Sequence, residues 1–339
     1  MADNPRVILS AFADEAAPQK TAVQQFATCA ALGLQYYTLR MIDLGSGSKN
    51  VLKLTLSEIQ KIRHLQDEYG LNIASIGSPI GKVKLRDVDD GTDRVYVPFK
   101  KYLDHEVKKA CEIAHALEAK LIRGFSFYPP KGADLQECLP QVVDQLGQIA
   151  ETCHRADLTY GLEVDTHLVG HTGQILADLH NQVNHPGMLL VFDAANILVQ
   201  GFSTAQLFEQ YLAMKPGLGW MHIKDYRRPE AAEIARPRAG KKEIQKHYVP
   251  ADAGDAAYEA ILRDFSRILP ALERKLKRRG IPGVFLDLEP HLRGSGPWGG
   301  SSGPDGMGVA LRSLCRVLDY VGVDYHLRDF ADIQASRGF

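Results

Sequence analysis

The sequence predicts an α/β protein, a (β/α)8 TIM barrel, and three observations carry that expectation. Strand-like and helix-like segments alternate along the chain with little else between them. Three of the apolar runs end in carboxylates, at 160–165, 190–193 and 284–289, and a fourth, 219–225, reads into His222, Lys224 and Asp225. At 339 residues and 45% apolar content, the chain can bury a large core. A doubly wound sheet is the competing arrangement.

The strand candidates are 6–12, 35–39, 72–77, 120–127, 159–163, 188–193, 219–223 and 283–288. Amphipathic segments lie between them at 19–32, 55–70, 98–119, 134–156, 173–183, 204–213, 255–279 and 305–321. The clearest is 55–70, with Ile59, Ile62, Leu65 and Tyr69 along one face and Gly70 as a stop. No linker or low-complexity tract divides the chain, so residues 1–339 read as one domain. A long basic stretch, 227–250, follows the seventh strand as an insertion, read as a lid or a subunit contact.

Composition excludes several classes. The formal charge of −1 and a pI near 6.9 leave no nucleic-acid footprint. The five cysteines are scattered, with no C-x-x-C pair, which fits reduced thiols rather than a disulfide framework or a cysteine zinc site. The start, Met1 to Pro5, is acidic and polar where a secretory signal is basic and then apolar. No run approaches the ~18 apolar residues of a membrane span. A cytoplasmic protein acting on a small molecule is the expectation.

In a barrel of this kind, functional groups gather where strands end and loops begin. The polar residues fall there: Asp14, Glu15, Arg40, Ser78, Lys82, Ser126, Glu163, Asp165, His167, Asp193, His222, Lys224, Glu289 and His291. Strand alternation puts Trp220, His222 and Lys224 on one face. Glu163, Asp193 and Glu289 pointing into one mouth repel one another unless a cation sits between them. Three carboxylates and the His222 imidazole suit one divalent ion, Mn²⁺ first, with Mg²⁺, Co²⁺ or Zn²⁺ as alternatives. The structural alternative is that each group pairs with a basic neighbour such as Arg40 or Lys82.

These segments resemble the xylose isomerase-like TIM barrels of sugar isomerases and epimerases. The resemblance rests on Gly161-Leu162-Glu163, Phe192-Asp193-Ala194-Ala195-Asn196, His222-Ile223-Lys224-Asp225, Leu288-Glu289-Pro290-His291 and the stretch Ser75 to Lys82. It implies that Glu163, Asp193, His222 and Glu289 are the metal ligands. It also implies isomerisation or epimerisation of a sugar or polyol, by proton transfer through a metal-stabilised enediolate, with Glu163 and Glu289 as acid and base. His167 is a further acid–base candidate, and Lys224 a group that neutralises enediolate charge. Elimination is the second reading of the same chemistry: a dehydratase, or a lyase acting on keto-sugars and 3-keto-glycosides.

Two features depart from the family pattern. Many of its epimerases carry a histidine three residues after the sixth-strand aspartate, where this chain has Asn196. After His222 the basic insertion offers Arg227 or Arg228 to grip a substrate oxygen. Lys82, His291 and Trp298, the last in the glycine-rich loop from Gly294 to Gly306, complete the expected substrate contacts. The Gly294 to Gly299 pattern contains Pro297 and has no following strand, so it is no dinucleotide fingerprint. Too few strand-end histidines are present for an apurinic endonuclease. A catalytically silent partner subunit and a homo-oligomer stay open.

Overall fold

A computed structural model describes residues 5–229, 245–296 and 299–337. Eight parallel strands form its centre: β1 (Ile8–Ala11), β2 (Tyr36–Leu39), β3 (Asn72–Gly77), β4 (Leu121–Gly124), β5 (Thr159–Glu163), β6 (Met188–Asp193), β7 (Leu218–Ile223) and β8 (Phe285–Leu288). Hydrogen-bonded ladders run from β2 through β3 to β8 and on to β1, and one parallel bridge between Phe12 and Thr38 completes the ring. The helices between strands cover the outside. The chain therefore forms the (β/α)8 barrel that its alternating pattern predicts. Among the described residues, no helix is long and apolar enough to cross a membrane.

Local chemistry sets the helix ends. Helix Leu56–Tyr69 starts in a capping box, in which Thr55 Oγ1 accepts from Glu58 N–H and the Glu58 carboxylate accepts from Thr55 N–H at 2.9 Å. It stops at Gly70, whose φ of 61° suits glycine. The predicted 98–119 helix is a helical run interrupted by a wider turn at Leu103–Val107. The single helix expected over 255–279 is two, Tyr258–Ser266 and Leu269–Lys277. Pro270 fits the break: with no N–H it is at home in a first helical turn and is disfavoured inside a longer helix.

Strands of a parallel barrel are covered on both faces, and β5, β6 and β7 are buried throughout. The interior fills by complementary sizes. The fully buried Trp220 packs where Gly161 leaves room: a Cβ on Gly161 would lie 1.9 Å from the indole Cη2. Gly161→Ala is expected to cost about 1–3 kcal/mol through overpacking. A lowered urea midpoint with an unchanged m-value is the readout, and an unchanged midpoint would show that the indole moves freely. Below the mouth, Asp287 accepts from Ser10 and Thr38 hydroxyls, tying β8 to β1 and β2 across the closure.

Beyond β7, Asp225–Tyr226 pairs antiparallel with Tyr248–Val249. This ladder brackets the predicted insertion, of which residues 230–244 lie outside the described residues.

Candidate metal centre

The carboxyl-terminal ends of the strands open into a cavity of about 1050 Å³, the size of a small-molecule site. Glu163 ends β5, Asp193 ends β6, His222 lies near the end of β7, and Glu289 follows β8. The β6–β7 register places Asp193 directly beside His222. Two-residue alternation carries Glu163 to the same inner face as Gly161, and His222 and Lys224 to that of Trp220. Each of the four residues is buried and offers a ligand atom, and these atoms all lie within 4.8 Å of one another.

The donor set fits a divalent cation. Among the described residues, both ring nitrogens of the fully buried His222, Glu163 Oε2 and Asp193 Oδ2 have no hydrogen bond. Buried polar atoms are rarely left so, and four of them in one cage of carboxylates and imidazole match the ligands of Mg²⁺, Mn²⁺, Co²⁺ or Zn²⁺. Asp193 Oδ1 is already committed, since it accepts from Asn196 N–H at 3.1 Å and caps the short helix Ala194–Leu198. Its other oxygen is the one turned to the cage.

Cations hold the cage together. Lys224 Nζ lies 2.7 Å from Asp193 Oδ2 and 3.2 Å from Glu289 Oε2. Arg40, just past β2, bonds Glu289 Oε1 and also reaches Asp14 and Glu15, each at 3.2 Å. Arg123 Nε lies 3.1 Å from Glu163 Oε2, and Asn196 donates to Glu163 Oε1 at 3.2 Å. Burial pushes the Asp193 carboxyl up to about 6 against the pull of Lys224. Burial acts the same way on Glu163, but His222 and Arg123 outweigh it and hold the carboxyl at about 2. For Glu289, burial is again outweighed, by Lys224 and Arg40, and its pKa lies well below the usual range. Burial disfavours the His222 imidazolium, yet Glu163 at 3.2 Å raises its pKa.

A second group, Glu15, Glu289 and His291, is equally compact. It is already satisfied: Arg40 contacts both glutamates, and His291 Nδ1 lies 2.6 Å from Glu15 Oε1. Ser302 and the His291 backbone also donate to Glu15, which pins the β8 loop to the β1 loop.

The other predicted residues divide clearly. Lys224, Asn196, Lys82 and His291 line the cavity, with Lys82 paired to Asp165 at 2.7 Å. His167 does not join them: it is exposed, with φ of 64°, and lies outside the cavity lining. Arg227 and Arg228 are also outside the lining. Arg227 donates to the Ala253 carbonyl and Arg228 to Asp255, contacts that close the base of the hairpin rather than grip a ligand. Trp298 lies outside the described residues. The arginines that do reach the cavity are Arg40, Arg94 and Arg123. Tyr248, overlooked in the sequence, also lines it, its ring 5.1 Å from that of His291 and its phenol pushed up to about 12 by burial.

A barrel with a carboxylate–histidine cage at its carboxyl-terminal mouth defines a class of protein. The family model for xylose isomerase-like TIM barrels matches residues 26–316, and the chain belongs to that family. A xylose isomerase-like TIM barrel protein from Mycobacterium smegmatis, solved in complex with magnesium, matches with a TM-score of 0.60 at 16% identity, over 98% of each chain. A D-allulose 3-epimerase from Methylomonas sp. matches with a TM-score of 0.58 at 18% identity, over 94% of this chain and 100% of that one. The probable 3-DHS dehydratase AsbF from Bacillus anthracis matches with a TM-score of 0.60 at 15% identity, over 91% and 98%. At these identities the likeness is one of fold. No curated protein matches the chain by sequence.

Proposed function

We propose that this protein is a metal-dependent isomerase or epimerase of a sugar or polyol, with Mn²⁺ as the working ion. The observation that carries the reading is the cage itself: Glu163, Asp193, His222 and Glu289, buried and convergent, with four polar atoms that make no hydrogen bond among the described residues and only two of them, Asp193 Oδ2 and Glu163 Oε2, beside a lysine or arginine. A divalent ion held by these four residues supplies a Lewis acid to the carbonyl and neighbouring hydroxyl oxygens of the sugar.

The chain's own residues then move the proton. Glu163 is the base: it is held ionised, and its Oε2 makes no hydrogen bond. Glu289 stands across the cage with both oxygens engaged by cations, so proton return on that side draws on the Lys224 ammonium, 3.2 Å away. Lys224 also balances the negative charge that deprotonation leaves on the substrate. Asn196 orients Glu163 through its amide hydrogen bond.

The test begins with elemental mass spectrometry on untagged protein. About one divalent ion per chain is expected, with loss from His222→Ala. A sugar panel in deuterated water follows: an isomer of unchanged formula carrying one deuterium supports the proposal, and a product short of one water assigns a dehydratase instead. A wild type that takes up no ion after reconstitution with Mn²⁺ removes the mechanism.

A further inference from the structure

We infer that the cavity holds an oxyanion subsite at Arg123, and that the substrate is an acidic sugar derivative, bearing a carboxylate or phosphate at the end that faces Glu163. The inference rests on the proposed metal-dependent reading and narrows its substrate class. Arg123 is 5% exposed, lies within β4 and lines the cavity. A guanidinium carries five N–H donors, and most of these are unspent. Nη1 donates to the Ser78 carbonyl at 3.0 Å, while Nε, 3.1 Å from Glu163 Oε2, makes no hydrogen bond. Nη2 has no partner among the described residues. Ser78 Oγ in turn donates to the Arg123 carbonyl at 2.5 Å, so the strand end that presents the guanidinium is fixed.

Three cations stand on this wall, of which Lys82 pairs with Asp165 and Arg123 lies beside Glu163. Arg123 and Lys82 stand over one ring, Phe125, at 4.6 Å and 4.1 Å from its centroid, and Arg94 stands over Tyr128 at 3.9 Å. All three cations line the cavity. Both Lys82 and Arg123 are thus brought to one ring at the cavity wall, and an anion bound between them and the cage is attracted by both. The planar fork of a buried arginine matches carboxylate and phosphate oxygens in two-pronged fashion. Because Arg123 Nε is so near Glu163, the anion and the carbon that loses its proton belong to the same end of the substrate.

The experiment is calorimetric titration of the Mn²⁺-loaded protein with three unreactive polyols: D-glucitol, D-gluconate and D-glucitol 6-phosphate. One of the two anions is expected to bind about 10- to 100-fold more tightly than D-glucitol, the scale of hydrogen bonds to a charged group. Which one it is separates carboxylate from phosphate. Arg123→Gln is expected to remove the preference and Arg123→Lys to keep part of it. Lys82→Gln, at a partly exposed position, lowers the same preference and serves if Arg123→Gln does not fold. Equal affinity for all three, no measurable binding of either anion, or an undiminished preference in both glutamine variants overturns the inference. Metal stoichiometry on the same sample keeps the two readings apart. A protein that carries the ion but shows no preference loses only the subsite. A protein that takes up no ion but keeps an Arg123-dependent preference loses the metal mechanism and retains the subsite.

Discussion

Glu163→Gln is expected to slow substrate proton exchange by about 10²- to 10⁴-fold, the usual contribution of a positioned base. The amide keeps the shape of the side chain and one oxygen that can face the cage, so folding is expected to persist. It cannot take a proton, and its nitrogen meets the Arg123 guanidinium where the carboxylate oxygen stands at 3.1 Å. Deuterium incorporation and metal content measured on the same sample separate the two roles of this residue. Slowed exchange with the ion still bound assigns the base; exchange within about tenfold of wild type, ion bound, moves that role to another group.

Arg40→Met is expected to be the most destabilising change in the cavity. The guanidinium, buried and 8% exposed, reaches Asp14, Glu15 and Glu289 together. Removing it leaves three carboxylates without their shared cation, and breaking one buried pair already costs about 3–5 kcal/mol. The readout is urea unfolding of the metal-free protein. A companion Arg40→Met/Glu289→Gln variant is expected to lose less than the sum of the single changes, because the second substitution removes part of the charge that the first exposed. A loss below about 1 kcal/mol for Arg40→Met would mean that water or the other cations already neutralise the cluster.

The barrel was legible because its signals are local. A carboxylate or histidine at the end of an apolar run marks a strand tip, and Thr55, Glu58 and Gly70 mark both ends of a helix from within it. The four cage residues followed from the same pattern. The spacing of His167 from Glu163 says nothing of the left-handed turn at which it stands, exposed and outside the cavity lining. Arg227 and Arg228 were assigned by their nearness to His222 in sequence, whereas the hairpin of Asp225–Tyr226 and Tyr248–Val249 spends them on its own base. Arg123 went unnoticed inside the apolar run Leu121-Ile122-Arg123-Gly124. A lone arginine in a strand otherwise fit for burial was the available signal, since such a charge persists only where it meets a partner or a cavity. The partnership of Arg40 with Glu15 and Glu289 spans the whole chain and leaves no local trace.

The closure of the ring divides the cavity's charges between the halves of the chain. Glu163, Asp193 and Glu289 all come from β5 to β8, and Arg40 and Arg123, which face two of them, come from β2 and β4. Neither half folded alone would have all of its buried charge matched: Arg40 would keep Asp14 and Glu15, and Asp193 would keep Lys224, but Glu163 and Arg123 would each lose the other, and Glu289 would lose Arg40. Docking of the two halves is thus an act of charge recognition as well as of strand pairing. The assembly step that builds the mouth of the barrel is therefore sensitive to salt, even though the finished interior is shielded from it.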